Sequence, residues 1–124
     1  MNRAVFVLVM VSVLMSAFAQ VLLKGGMSSG PVTQALAEGG RWGTAAAIAS
    51  SPLVLLGLAL YFLSALVWLF VLARVEVSLA YPFVGLGFVV TMLLGWWMHG
   101  DILTAARVGG TLLIAVGVAI LARS

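Results

Sequence analysis

From Val77 to Met98 the chain carries no charged side chain. A run of that length matches the roughly 20 apolar residues that cross the hydrocarbon core of a bilayer as a helix. Three more stretches share this character, at about 4–24, 52–72 and 105–122. Backbone N–H and C=O groups in lipid find no water, so each stretch is expected to satisfy its own hydrogen bonds as a helix. The composition points the same way: 65% of the 124 residues are hydrophobic, 7% are charged, and mean hydropathy is +1.29. A soluble domain of this size cannot bury that much apolar surface. The expected fold class is all-α, an integral membrane bundle of four transmembrane helices forming a single domain over residues 1–124. Its spans fall at about 4–24, 52–72, 77–98 and 105–122, with a long loop or interfacial segment between the first two.

Several function classes drop out at this point. The chain has no cysteine, so disulfides and thiolate metal sites are unavailable. His99 has no second His or Cys to share a metal, so neither a metal site nor a cofactor is expected, and nothing suggests an enzyme. The six cations, Arg3, Lys24, Arg41, Arg74, Arg107 and Arg123, form no run; they suit interfacial anchoring and not a nucleic-acid partner.

The first span begins like a signal peptide, with Arg3, an apolar core and Ala17-Phe18-Ala19 before Gln20. The apolar stretch continues through Leu22 and Leu23, so the segment is read as a retained helix. Its polar residues Ser12, Ser16, Gln20 and Lys24 recur every four residues and wind slowly along one side. Ser12 alone would be a small packing residue, and Lys24 alone would snorkel to the interface. A carboxamide facing lipid is costly, however, and Gln20 makes an interior polar surface the better reading of the four together.

Residues 25–51 are rich in Gly, Ser and Ala, and only a short helix near Val32–Glu38 is expected there. Arg41 beside Trp42 suits a headgroup-level anchor. Ser50-Ser51-Pro52 caps the second span, where Gly57, Tyr61, Ser64 and Trp68 share a face. Aromatic packing and a cavity-lining role are equally open for that face. Arg74-Val75-Glu76 forms a tight turn into the third span. Pro82 should loosen the backbone near Ser78, because it removes a donor and clashes with the preceding turn. Tyr81 and Pro82 are placed at a cavity mouth, and Gly85 and Gly87 should let the helix bend. Gly87, Thr91 and Gly95 make a small-residue stripe for close helix approach. Trp96 and Trp97 mark the far interface. Asp101 or Thr104 can cap the fourth span, where Gly110 and Gly117 form a packing seam. Both termini then lie on one side. Lys and Arg divide three against three between the sides, a tie that permits insertion in both orientations and antiparallel dimers.

These motifs in this order resemble the four-helix form of the drug/metabolite transporter superfamily. The carriers are Ala19–Lys24 (AQVLLK), Trp68–Leu72, Leu79–Val90 (LAYPFVGLGFVV) and Gly110–Leu121 (GTLLIAVGVAIL). The AYP tripeptide before a glycine-bearing helix is more similar to the aminoarabinose-phosphoundecaprenol flippase subunits. The Gly110/Gly117 seam is similar to the dimer contact of the small multidrug resistance branch. That branch couples drug export to protons through a glutamate in the first helix, and the aligned position here is Ser16. The three acidic residues, Glu38, Glu76 and Asp101, all fall outside the expected membrane core.

The resemblance implies a flippase for a polyprenyl-phosphate-linked monosaccharide in the inner (plasma) membrane. Such a protein works by alternating access as a homodimer, antiparallel in one arrangement, or as a heterodimer with a related subunit. Its binding residues would be Ser12, Ser16, Gln20, Lys24, Tyr61, Ser64, Trp68, Tyr81 and Pro82, with Lys24 or Arg74 pairing with the phosphate. A small-molecule exporter and a non-transporting assembly subunit are the alternatives.

Overall fold

The computed structural model describes residues 2–124. Four helical segments are long and apolar enough to cross a membrane: Arg3–Met27, Pro52–Leu72, Val77–His99 and Ala105–Ala122. We label the helices α1 (Arg3–Met27), α2 (Gly30–Glu38), α3 (Arg41–Ala49), α4 (Pro52–Leu72), α5 (Val77–Ala80), α6 (Val84–His99) and α7 (Ala105–Ala122).

Three of the long helices, α1, α4 and α7, start where a side chain replaces a missing backbone partner. Asn2 Oδ1 accepts the Val5 N–H at 2.8 Å, and Thr104 Oγ1 accepts the Arg107 N–H at 3.1 Å. Ser51 caps α4, with Pro52 in the first turn, where its missing donor costs nothing. Of the two expected caps for α7, Thr104 is therefore the one used. The α6 helix ends at Gly100, whose φ of 68° needs a residue without a Cβ.

Between α1 and α4 the structure corrects the expectation of a single short helix. The α1 helix runs almost one turn past Lys24, and two short helices follow. Gly39, at φ 76°, ends the first of them, and alanine-rich sequence carries the second. The Thr44 hydroxyl donates to Gly40 O at 2.6 Å and lies 3.2 Å from Ala35 O, which ties the two short helices together. Trp42 is 88% exposed, facing whatever surrounds the protein.

The third span is not one continuous helix. Pro82 has no N–H to offer the Ser78 carbonyl, and Tyr81–Phe83 tightens into a 3-10 turn between α5 and α6. The break thus lies about one turn beyond Ser78.

The α1 helix is the centre of the bundle, with α4 along one side and α6 along another, while α7 leans on α6 and the 3-10 turn. Glycines set the approach. A Cβ on Gly26 would lie 2.7 Å from Val54 N, and one on Gly57 would lie 2.9 Å from Leu23 Cγ, so α1 and α4 meet almost backbone to backbone. A Cβ on Gly87 would meet Val13 of α1 at 3.2 Å, whereas Gly85 faces Ile114 and Val118 of α7. These two glycines therefore serve opposite faces of α6.

Gly95 departs from the expected small-residue seam. The space its missing Cβ leaves is filled by the Asp101 side chain of the following loop, not by another helix. Among the described residues, nothing beyond the local helix backbone and chain neighbours lies within 4 Å of a Cβ placed on Gly110 or Gly117, so a seam at these residues needs a second polypeptide.

A cluster of Val5, Val9, Val13, Val71, Ala80, Phe83 and Val118 fills the bundle at the end that holds the 3-10 turn. Phe83 is 1% exposed and meets Phe6 edge to face, with ring centroids 6.4 Å apart. At the other end, His99 Nε2–H donates to the Val21 carbonyl at 3.2 Å and ties the end of α6 to α1. His99 is half-buried there.

Candidate functional site

Since α4 and α6 both pack on α1 and scarcely touch each other, a groove opens between them with α1 as its floor. Its volume is about 490 Å³, within the range of roughly 300–1,000 Å³ that holds small organic ligands. Ser12, Ser16 and Gln20 line it from α1, and Tyr61, Ser64 and Trp68 line it from α4. Tyr81, Val84, Gly87, Phe88 and Thr91 supply the third wall. Seven of the nine residues singled out as a binding set thus meet around one cavity.

The two exceptions have physical reasons. A four-residue repeat on a helix with 3.6 residues per turn drifts by about 40° per step, and so by about 120° from Ser12 to Lys24. The drift is visible in burial: Ser12 is 4% exposed, Ser16 is half-buried, and Gln20 and Lys24 are exposed. By Lys24 the stripe has turned out of the groove. Pro82 instead borders a separate apolar slot of about 350 Å³ between α6 and α7, with Gly85, Ile114 and Gly117.

Hydrogen bonding separates the seven further. The Ser12 hydroxyl donates to Ser64 O at 2.9 Å, clamping α1 to α4, and the Ser64 hydroxyl donates to Tyr61 O at 2.7 Å. Both line the groove with their donors already engaged. Ser12 thus bonds to a neighbouring helix and not to its own preceding turn. Among the described residues, no protein partner is recorded for the side chains of Ser16, Gln20, Tyr61, Trp68, Tyr81 and Thr91. Those six supply the open donors and acceptors of the groove.

Two lining residues of interest escaped the sequence reading. Thr91 was placed in a packing stripe; its position four residues from Gly87 puts both on the α1 side of α6, and that spacing is the signal that could have found it. Phe88 is 54% exposed and borders the groove, the apolar slot and a further cavity beside α7. No local pattern marks it.

The groove has no carboxylate. Glu38 and Glu76 are exposed outside the long helices, and Asp101 lies in the loop between α6 and α7. Ser16 occupies the wall where an acidic residue would be needed to exchange protons against a cation.

Four helices apolar and long enough to cross a bilayer, three of them walling one groove, define a multi-pass membrane protein. Comparison with curated proteins gives its relatives. The probable 4-amino-4-deoxy-L-arabinose-phosphoundecaprenol flippase subunit ArnF of Photorhabdus laumondii is 34% identical over 122 residues, covering 92% of this chain and 93% of that protein. The corresponding subunit ArnE of Pseudomonas aeruginosa strain LESB58 is 40% identical over 74 residues, or 60% of this chain. That of Erwinia tasmaniensis is 40% identical over 68 residues. The chain spans 64% of the length of the Pseudomonas relative and 58% of the Erwinia one. The chain belongs to the family of aminoarabinose-phosphoundecaprenol flippase subunits. No family model matches it, and no solved structure does.

Proposed function

We propose that the chain is a subunit of an inner-membrane flippase that moves a polyprenyl-phosphate-linked amino sugar between leaflets. The observation that carries this is the groove between α4 and α6: a largely apolar cleft studded with neutral polar side chains and free of carboxylates. A sugar headgroup needs many neutral donors and acceptors, and Ser16, Gln20, Tyr61, Tyr81 and Thr91 offer them. Trp68 and the two tyrosines bring aromatic rings to the groove, and a sugar's C–H surface can lie against such rings. The isoprenoid tail need not enter. The adjoining apolar slot at Pro82, Gly85 and Gly117 gives it a place beside the groove, still within lipid. The names of the relatives support the substrate class.

Translocation requires the groove to face each leaflet in turn. The 3-10 turn at Tyr81–Phe83 is the joint at which α5 can swing against α6. A single chain leaves the groove open along one side, and a second subunit set against it, either a copy or a related chain, would complete the wall. Two unlike subunit names among the relatives favour a related partner.

The test is flipping of a labelled aminosugar-phosphopolyprenol in proteoliposomes. Gln20→Ala should reduce the rate about tenfold, as loss of one hydrogen bond to the bound headgroup does. Lys24→Ala, outside the groove, should leave the rate within about twofold, a change of less than about 0.5 kcal/mol. Equal flipping in protein-free vesicles would sink the proposal. Proton-driven uptake of a quaternary ammonium compound would point to a drug exporter instead.

A further inference from the structure

A second cavity, of about 340 Å³, adjoins the groove and shares Phe88 and Thr91 with it. It lies between α6 and α7, and Asp101, Ile102, Arg107 and Thr111 complete its wall. Both charged residues are held in place by backbone features. The missing Cβ of Gly95 makes room for the Asp101 side chain against α6, and the Asp101 N–H donates to Gly95 O at 3.2 Å. Arg107 Nη1–H donates to Ile102 O at 2.7 Å, which fixes the guanidinium and leaves its other donors uncommitted. The Thr111 hydroxyl donates to Arg107 O at 2.8 Å, so its lone pairs remain available.

A carboxylate and a guanidinium that line one small cavity would ordinarily close on each other. Here no ion pair joins them; each is anchored to its own stretch of backbone. Two opposite charges held apart around a shared space are complementary to a ligand that carries both charges itself. The cavity lies at the end of the bundle where α1 finishes, so it opens at one mouth of the groove.

We propose that this cavity is the docking site for a zwitterionic phosphate–amine headgroup, with Arg107 taking the phosphate and Asp101, beside the Thr111 lone pairs, taking the ammonium group. The headgroup then passes by way of Thr91 and Phe88 into the neutral groove. Lys24 lines none of these cavities and has no part in holding the phosphate. The assignment rests on the function proposed above and specifies where the charges of that substrate are read. An aminosugar phospholipid and phosphatidylethanolamine share the required chemistry, so the experiment has to separate them.

Binding is measured on the full-length protein in detergent, by its tryptophan fluorescence. One probe is a short isoprenoid phosphate bearing the amino sugar, and the other is its N-acetylated counterpart. Wild-type protein should prefer the free amine by about tenfold, the scale of one charge-assisted contact. Asp101→Asn should erase that preference while leaving the N-acetyl probe unaffected. Arg107→Gln should weaken both probes by about tenfold, with partial recovery in Arg107→Lys, since a lysine supplies the charge without the fork. Gln20→Ala serves as the groove control, and unchanged melting temperatures exclude unfolding as the cause. If Gln20→Ala weakens binding while the Asp101 and Arg107 variants bind like wild type, the docking site is wrong and the flippase reading stands. If short-chain phosphatidylethanolamine competes as well as the amino sugar, the cavity reads bulk lipid and the assignment falls. Binding of neither probe to wild type overturns both readings.

Discussion

The α1 and α7 helices are close in hydropathy and opposite in burial. Their most apolar windows have mean hydropathies of 2.5 and 2.0, yet 39% of the first is buried inside the protein against 6% of the second. Hydropathy reports a helix's preference for lipid over water, and both satisfy it. It does not report which helix another helix will cover, because lipid tails are as apolar as leucine and association depends on close packing. The α1 helix presents Gly26 and Val13 to partners that lack bulk at the facing position, or lacks bulk itself. The α7 helix presents Leu112, Leu113, Val116 and Ile120, all more than half exposed, with its two seam glycines uncovered. One helix is the axle of the bundle; the other is its border.

This contrast can be broken by substitution, and the largest effect belongs to Phe83, the largest side chain fully buried in the cluster around α1. Phe83→Ala should cost about 3 kcal/mol, mainly through the cavity left, because lipid removes much of the transfer penalty. The matching Leu113→Ala on α7 should change stability by less than about 0.5 kcal/mol. Thermal unfolding in detergent, followed by helical circular dichroism, reads both. Comparable losses would mean that α7 is packed as tightly as α1.

Next in size are the glycines. Gly26→Ala must push its Cβ toward the Val54 backbone, which cannot yield as a flexible side chain would. We expect a loss of about 1–3 kcal/mol, the usual range for overpacking. Gly110→Ala meets nothing within 4 Å and should not alter the stability of the isolated chain. If Gly110→Ala lowers stability only under conditions where the protein is oligomeric, α7 is covered by another subunit.

The smallest effect is expected at the Ser12 clamp. Ser12→Ala removes the 2.9 Å bond to Ser64 O and should cost about 0.6 kcal/mol, the mean for interhelical hydrogen bonds in membranes. A cost above about 2 kcal/mol would show that the α1–α4 contact depends on that bond more than on its glycines.

The four-helix class was legible in the sequence because it depends on apolar length, and apolar length is local. Most of the groove was legible too. Ser16, Gln20, Tyr61, Ser64 and Trp68 betrayed themselves as polar or aromatic residues on single faces of apolar helices. Lys24 was included as a cation for the phosphate at the end of a slowly winding repeat, and by that residue the winding has carried the stripe out of the groove. Phe88 escaped because its position depends on the gap between α4 and α6, a consequence of two packing choices made elsewhere, whereas Thr91 was assigned to a packing stripe although its spacing from Gly87 marked the same face. The second short helix between α1 and α4 was missed because its glycine- and alanine-rich sequence has no sharp apolar period.

The central claim is that a lipid headgroup occupies the groove floored by α1. The absence of native cysteine allows a clean test with single-cysteine variants. The rate at which a small thiol reagent modifies Ser16→Cys is measured with and without the aminosugar-phosphopolyprenol, with Leu113→Cys on α7 as the reference. The account predicts strong slowing at residue 16 and none at residue 113. Equal rates with and without the lipid at residue 16, in protein that still flips it, would contradict it.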